Sequence, residues 1–144
     1  MRLPEYVTSD EVKRVCKELK IRDWTALAEP EVEANEAQAI LKEVNVEGMD
    51  IALEEFRTGL EVELEHGTRF KDANVTNNHP VLTGKIVLAH LKESMDYYRL
   101  LEVAEIEGDL LKAIVKKDVT KIHRLYKALA QAKIALNQAV MAQL

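Results

Sequence analysis

The chain has 144 residues, 47% of them hydrophobic, with 20 basic against 25 acidic side chains, a size and balance that fit one soluble domain with its own core. Five glycines, three prolines and 5% aromatics leave too few turn residues for a sandwich or barrel and favour helices. A formal charge of −5 argues against nucleic acid as a partner, one cysteine excludes an internal disulfide, and no run of about 18 apolar residues supports a membrane span.

No basic, apolar and cleavable leader is visible at the N-terminus, so the expected setting is the reduced cytoplasm. Thr8, Ser9 and Asp10 form a capping cluster ahead of Val12, Cys16 and Leu19, whose spacing puts them on one helix face. Cys16 therefore reads as core rather than as a nucleophile. Trp24 follows in a polar connector as a lid on the core. Pro30 opens a second helix, carried by Ala34, Ala37, Ile40, Leu41 and Val44 to a break at 45–48. A third helix is expected over 49–67, with Asp50 in its first turn and Gly67 as its stop. The polar stretch 67–79, with Asn74, Thr76, Asn77 and Asn78, is long for a helical connection and calls for order from function or from its own side chains. Its Asn74-Val75-Thr76 string matches a glycosylation acceptor and reads as chance without a secretion leader. Pro80 opens a fourth helix expected to continue to 107, about 40 Å at about 1.5 Å per residue. Gly108 and Asp109 read as a joint and Asp118 as a cap. Residues 119–144 read as an alanine-rich helix with Ile122, Tyr126, Leu129, Leu136 and Val140 on its apolar side. The expected fold is all-α, a single domain built as an antiparallel bundle of four to five helices: N-terminal helices at 1–48, a core pair at 49–107 around an ordered loop at 67–80, and a C-terminal extension at 109–144.

Placing each polar residue on its helix wheel at about 100° per residue isolates one anomaly. Met49, Ala52, Leu53, Phe56, Leu60 and Leu64 define the stripe of the third helix, Glu63 falls within it and His66 lies at its edge. For the fourth helix the stripe drawn through Leu82, Ile86, Ala89, Tyr97, Leu100, Leu101 and Ala104 carries His90 and Glu93 at its centre. Two adjacent helices thus present Glu63-x-x-His66 and His90-x-x-Glu93 toward the core. A buried carboxylate must be paired, hydrogen-bonded, protonated or bound to a cation. Imidazole nitrogen and carboxylate oxygen suit iron, zinc or manganese, and Glu-x-x-His on a bundle helix is a half-site of di-iron carboxylate proteins. A complete ferritin-like site needs two forward motifs and two further carboxylates; Glu55 is the nearest extra carboxylate on the wheel and Tyr97 a candidate outer hydrogen-bond partner. A metal-free Glu–His network that fixes helix register satisfies the same pattern. His79 and His123 are weaker ligand candidates. Thr83-Gly84-Lys85 is no phosphate loop, since His79 stands where the upstream glycine is needed, and no nucleophile elbow occurs.

The strings Glu55-Phe56-Arg57-x-Gly59-Leu60-Glu61-x-Glu63-Leu64-Glu65-His66-Gly67, Asn74-Val75-Thr76-Asn77 and Thr83-Gly84-Lys85-Ile86-x-x-Ala89-His90-Leu91-x-Glu93-x-x-Asp96-Tyr97-Tyr98 resemble the core of a family of small microbial and viral helical proteins of unknown function. The resemblance covers the middle half of the chain and includes the four residues that the wheels isolate. It also draws attention to Thr76 as a brace of the loop, and to Lys85 and Asp96 as members of an outward polar surface. Glu63-Leu64-Glu65-His66 by itself resembles the short half-site of encapsulated ferritins.

Two functions follow as expectations. The first is a divalent transition-metal site from Glu63, His66, His90 and Glu93, iron favoured over zinc or manganese, for metal storage, handling or redox chemistry. The second is a non-catalytic interaction or structural module that forms a homo-oligomer through the alanine-rich last helix, with the Glu/His cluster metal-free.

Overall fold

The computed structural model describes residues 6–144, which fold into six α-helices and two single 3₁₀ turns, with no strand among the described residues. The fold class is all-α, as the composition implies. Two compact units follow one another, 1–92 and 93–144.

The first unit opens with α1 (Ser9–Leu19). The Thr8 hydroxyl accepts the Glu11 N–H at 3.2 Å, Asp10 and Glu11 meet the positive end of the helix dipole, and Lys20 closes the helix in the left-handed region at φ 58°. Its buried row is Val12, Val15 and Cys16. Burial pushes the Cys16 thiol up, which disfavours the thiolate and agrees with a packing role. Trp24 begins a 3₁₀ turn and is fully buried.

The second helix, α2 (Ala34–Val44), starts four residues after Pro30. A capping box between Glu33 and Glu36 sets its start. Residues 30–33 stay outside the helix, Glu33 being extended, and the Val32 N–H donates to the Glu61 carboxylate at 3.1 Å. The Asn45 side chain then bonds both the N–H and the carbonyl of Met49, which holds the turn and delays α3 (Leu53–Arg69) beyond the expected start. Gly67 lies inside α3 rather than ending it. A methyl group there would fall 1.9 Å from Asn78 Oδ1 and 2.8 Å from Asn74 Nδ2, so the glycine is where the following loop closes onto the helix.

That loop is ordered by its own asparagines. The Asn74 amide donates to Asn78 Oδ1 at 3.0 Å and to the Gly67 carbonyl at 3.5 Å, the Asn77 amide donates to the Val7 carbonyl, and Asn77 and Asn78 both adopt left-handed backbone, which asparagine tolerates. His79 leads into α4 (Pro80–Glu93), its Nδ1 accepting the Leu82 N–H at 3.3 Å.

The long fourth helix expected over 80–107 is two helices. Residues 94–96 interrupt it: Ser94 Oγ accepts the Asp96 N–H at 3.2 Å and the Ser94 carbonyl accepts the Tyr97 N–H, a local alternative to helical bonding. The second unit is then an antiparallel hairpin of α5 (Tyr97–Val115) and α6 (Val119–Gln143). Gly108 lies within α5, and the joint falls instead at 116–118, where Lys117 takes φ 57° and the Asp118 carboxylate caps α6 by accepting the Lys121 N–H at 3.0 Å. Leu110, Ala113, Leu129 and Ala132 are buried in this unit. Asp96, expected on an outward surface, is buried and accepts from Arg99 at 3.2 Å and from Gln143 at 2.7 Å, which ties the two open ends of the hairpin together. Among the described residues no helix is long and apolar enough to cross a membrane.

Candidate functional site

In α3 the apolar row Phe56, Leu60 and Leu64 is buried, and Glu63, one residue before Leu64, is drawn down with it until its side chain is 13% exposed. From α4, His90 reaches the same carboxylate, with Nε2 3.5 Å from Oε1. His66, one turn along α3, places Nδ1 3.8 Å from Oε2. The Glu63 carboxylate thus stands between two imidazoles, one from each helix. The His90 side chain is 28% exposed, the His66 side chain 67%.

A cavity of about 270 Å³ opens beside this group, with Glu63, His66, Phe70, Thr76, Thr83 and Ile86 in its walls. It gives Thr76 a place at the site; the Thr76 carbonyl also accepts the His79 N–H at 3.0 Å and so helps to close the loop.

Glu93 is the last residue of α4, is exposed, and belongs to the second unit. Tyr97 begins α5 and packs edge-to-face on Tyr98, with ring centroids 5.2 Å apart. Glu55 shares the α3 face but precedes His66 by eleven residues, about 16 Å of helix. His123 is exposed on α6 and Lys85 on α4. As the side chains stand, no three His, Cys, Asp or Glu residues among those described are grouped to hold a metal ion.

The wheel drawn for the fourth helix differs from the observed one for a definite reason. The buried face of α4 is Thr83, Gly84, Val87, Leu88 and Leu91, while Ile86 and Ala89 are exposed. A stripe continued through residues of α5 takes its phase from a different helix. The true contact side is led by a glycine and a threonine: a methyl at Gly84 would lie 2.6 Å from Ile40 and 3.4 Å from Phe56. His90 consequently borders the buried face instead of occupying its centre.

Sequence reasoning missed the most deeply buried carboxylate. Glu36 has no exposed surface. Its Oε1 accepts the Arg22 backbone N–H at 3.1 Å, Arg22 Nε at 3.0 Å and the Trp24 indole N–H at 3.4 Å; its Oε2 accepts Arg22 Nη2 at 2.6 Å and the Glu33 N–H at 2.9 Å. Burial raises its pKa, but the Arg22 hydrogen bonds and the two backbone N–H groups outweigh it and hold the carboxyl below the usual glutamate value. With both oxygens engaged by the protein, Glu36 is an internal anchor for residues 22–33. The signal was present: Glu36 shares the α2 face of Ala37, Ile40 and Val44.

Fold and site together define a small all-helical protein in which a half-buried glutamate is shared by histidines of two successive helices, followed by a separate helical hairpin. Residues 12–107 match a family described as "Protein of unknown function (DUF5661)", and the chain belongs to that family. The match takes in Glu63, His66, His90 and Glu93 and ends within α5, leaving α6 outside it. Comparison with curated proteins and with solved structures gives no match.

Proposed function

We propose that the protein binds a divalent transition metal through Glu63, His66 and His90, iron favoured, with zinc or manganese the other fits, in a reduced cytoplasmic setting and within helices packed as an antiparallel bundle. The observation that supports this reading is the Glu63 carboxylate held between imidazoles of α3 and α4. Two histidines and one carboxylate with further positions open are the donor set of non-haem iron centres. Binding requires the three donors to close on a common centre at about 2.0–2.2 Å. The exposed His66 ring has the freedom to swing there, and the cavity beside Glu63 admits water or a small ligand. The native protein is expected to carry about one ion per chain by elemental analysis, or to take one up on anaerobic addition of ferrous or zinc ion. Glu63→Gln and His90→Ala should each abolish that uptake while retaining helicity by circular dichroism. A wild type that stays metal-free under both conditions overturns the proposal.

A second reading, a non-catalytic interaction module with the Glu/His group as a metal-free brace, is favoured by a separate observation. Both helices of the C-terminal hairpin carry large exposed apolar residues, among them Leu111, Val115, Tyr126 and Ile134.

A further inference from the structure

The salt bridge between Glu107 of α5 and Lys133 of α6, 2.8 Å long, marks one side of the hairpin. Residues seven apart, two helical turns, share a face. Leu100 and Ile114 therefore flank Glu107 on that side, with Leu111 one turn from Glu107, while Tyr126 and Val140 flank Lys133. All five are exposed, Leu111 by 63% and Tyr126 by 64%. Beside Tyr126 lies a shallow, largely apolar groove formed with Val119, Ile122 and Ala130. Along this side the pattern is thus apolar, then a salt bridge near mid-length, then apolar again.

Charge divides the hairpin lengthwise. Its loop end, beyond the Glu107–Lys133 pair, carries Lys112, Lys116, Lys117, Lys121, Arg124 and Lys127 against Asp109 and Asp118. The open-end half of α5 and the residue that ends α4 carry Glu93, Glu102 and Glu105, while Arg99 is taken up by the buried Asp96.

From this we infer that the hairpin face is a docking surface for a second copy of the chain, set antiparallel. The inference develops the interaction-module reading and is independent of the metal. A two-fold axis near the Glu107–Lys133 pair lays the basic loop end of each copy against the acidic open end of the other, and the Tyr126 groove of one against Leu100 and Val140 of its partner copy. A parallel arrangement would instead stack six cations on six. Such an isologous contact is self-complementary, and two hairpins joined this way complete a four-helix bundle. The face falls within the usual range: α6 is about 37 Å long and two helices span about 20 Å, on the order of 700 Å² per copy, where stable interfaces bury about 600–1,000 Å² on each side.

The test uses the full chain. Light scattering after gel filtration should give twice the 16.3 kDa chain mass. The double variant Ile114→Glu/Tyr126→Glu should halve that mass without loss of helicity. Orientation is read by cross-linking in a chain whose natural cysteine, Cys16, is buried. Under mild oxidation Glu107→Cys should form a disulfide-linked pair across the axis, and Lys117→Cys, far from its counterpart, should not. A monomeric wild type at all concentrations, a dimer indifferent to the double variant, or ready linkage through Lys117→Cys overturns the inference. None of these outcomes bears on metal content, so failure here is distinguishable from failure of the metal reading.

Discussion

Removing the Glu36 carboxylate is the sharpest perturbation of the first unit. In Glu36→Ala, five donor contacts disappear at once, and they differ in what becomes of the donor. The Arg22 side chain is 39% exposed and recovers hydration, so the loss of its ion pair is discounted for screening. The Trp24 indole N–H is buried and cannot recover water, and the Glu33 and Arg22 backbone N–H groups lose their anchor. Each hydrogen bond to a charged group contributes about 1.5–3 kcal/mol and each stranded buried donor costs about 1–3 kcal/mol, terms that overlap; removal of one partner of a buried pair costs about 3–5 kcal/mol in all. Glu36→Ala is therefore expected to lose about 3–5 kcal/mol, and Glu36→Gln, which keeps one carbonyl acceptor, about 1–3 kcal/mol. Trp24, the single tryptophan, touches this carboxylate, so urea denaturation followed by its fluorescence reports on the right corner of the molecule. The pH dependence supplies a second check. Because the folded pKa lies below the ordinary 4.5, the carboxylate's contribution is full above 4.5 and is lost as pH falls through the folded value. Glu36→Gln should flatten that acid limb. A Glu36→Ala protein within about 0.5 kcal/mol of wild type would refute the anchoring argument, that being the range of an ordinary surface substitution.

Two further outcomes are expected. Burial lowers the pKa of His79 from 6.5, and its Nδ1 accepts the Leu82 N–H, so the folded state favours neutral imidazole; stability should be full above 6.5 and decline as pH drops toward the folded value. An imidazole titration at or above 6.5 by NMR contradicts this. Gly67→Ala forces a methyl into the buried Asn78 side chain and should cost about 1–3 kcal/mol by urea denaturation, with faster amide exchange across residues 70–79; an unchanged midpoint counts against the close contact.

The helices declared by local chemistry were legible. Thr8 and Asp118 cap where their hydroxyl and carboxylate predict, and the asparagines at 74, 77 and 78 order their loop through their own amides. Less legible were features decided by packing. Gly67 reads as a helix stop but is retained for a close approach, and Gly84 leads a buried face that no apolar stripe announces. The break at 94–96 contains neither glycine nor proline and rests on a serine hydroxyl competing for one N–H. Of the candidate site, the Glu63–His66 and Glu63–His90 proximities could be read from helical spacing and helix succession. Glu93 could not be placed, because its face depends on where α4 ends. Glu36 escaped notice because a glutamate in a first turn is ordinarily a solvated partner of the helix dipole.

The Asn74 amide has a consequence for how the protein is produced. Its nitrogen is the atom that an N-linked glycan would occupy in the Asn74-Val75-Thr76 string, and it is already committed to Asn78 and to the Gly67 carbonyl. A host that routes the chain through a glycosylating secretory pathway would place a sugar where the loop is stitched to α3, at the rim of the Glu63 cavity. Bacterial expression keeps that stitch intact.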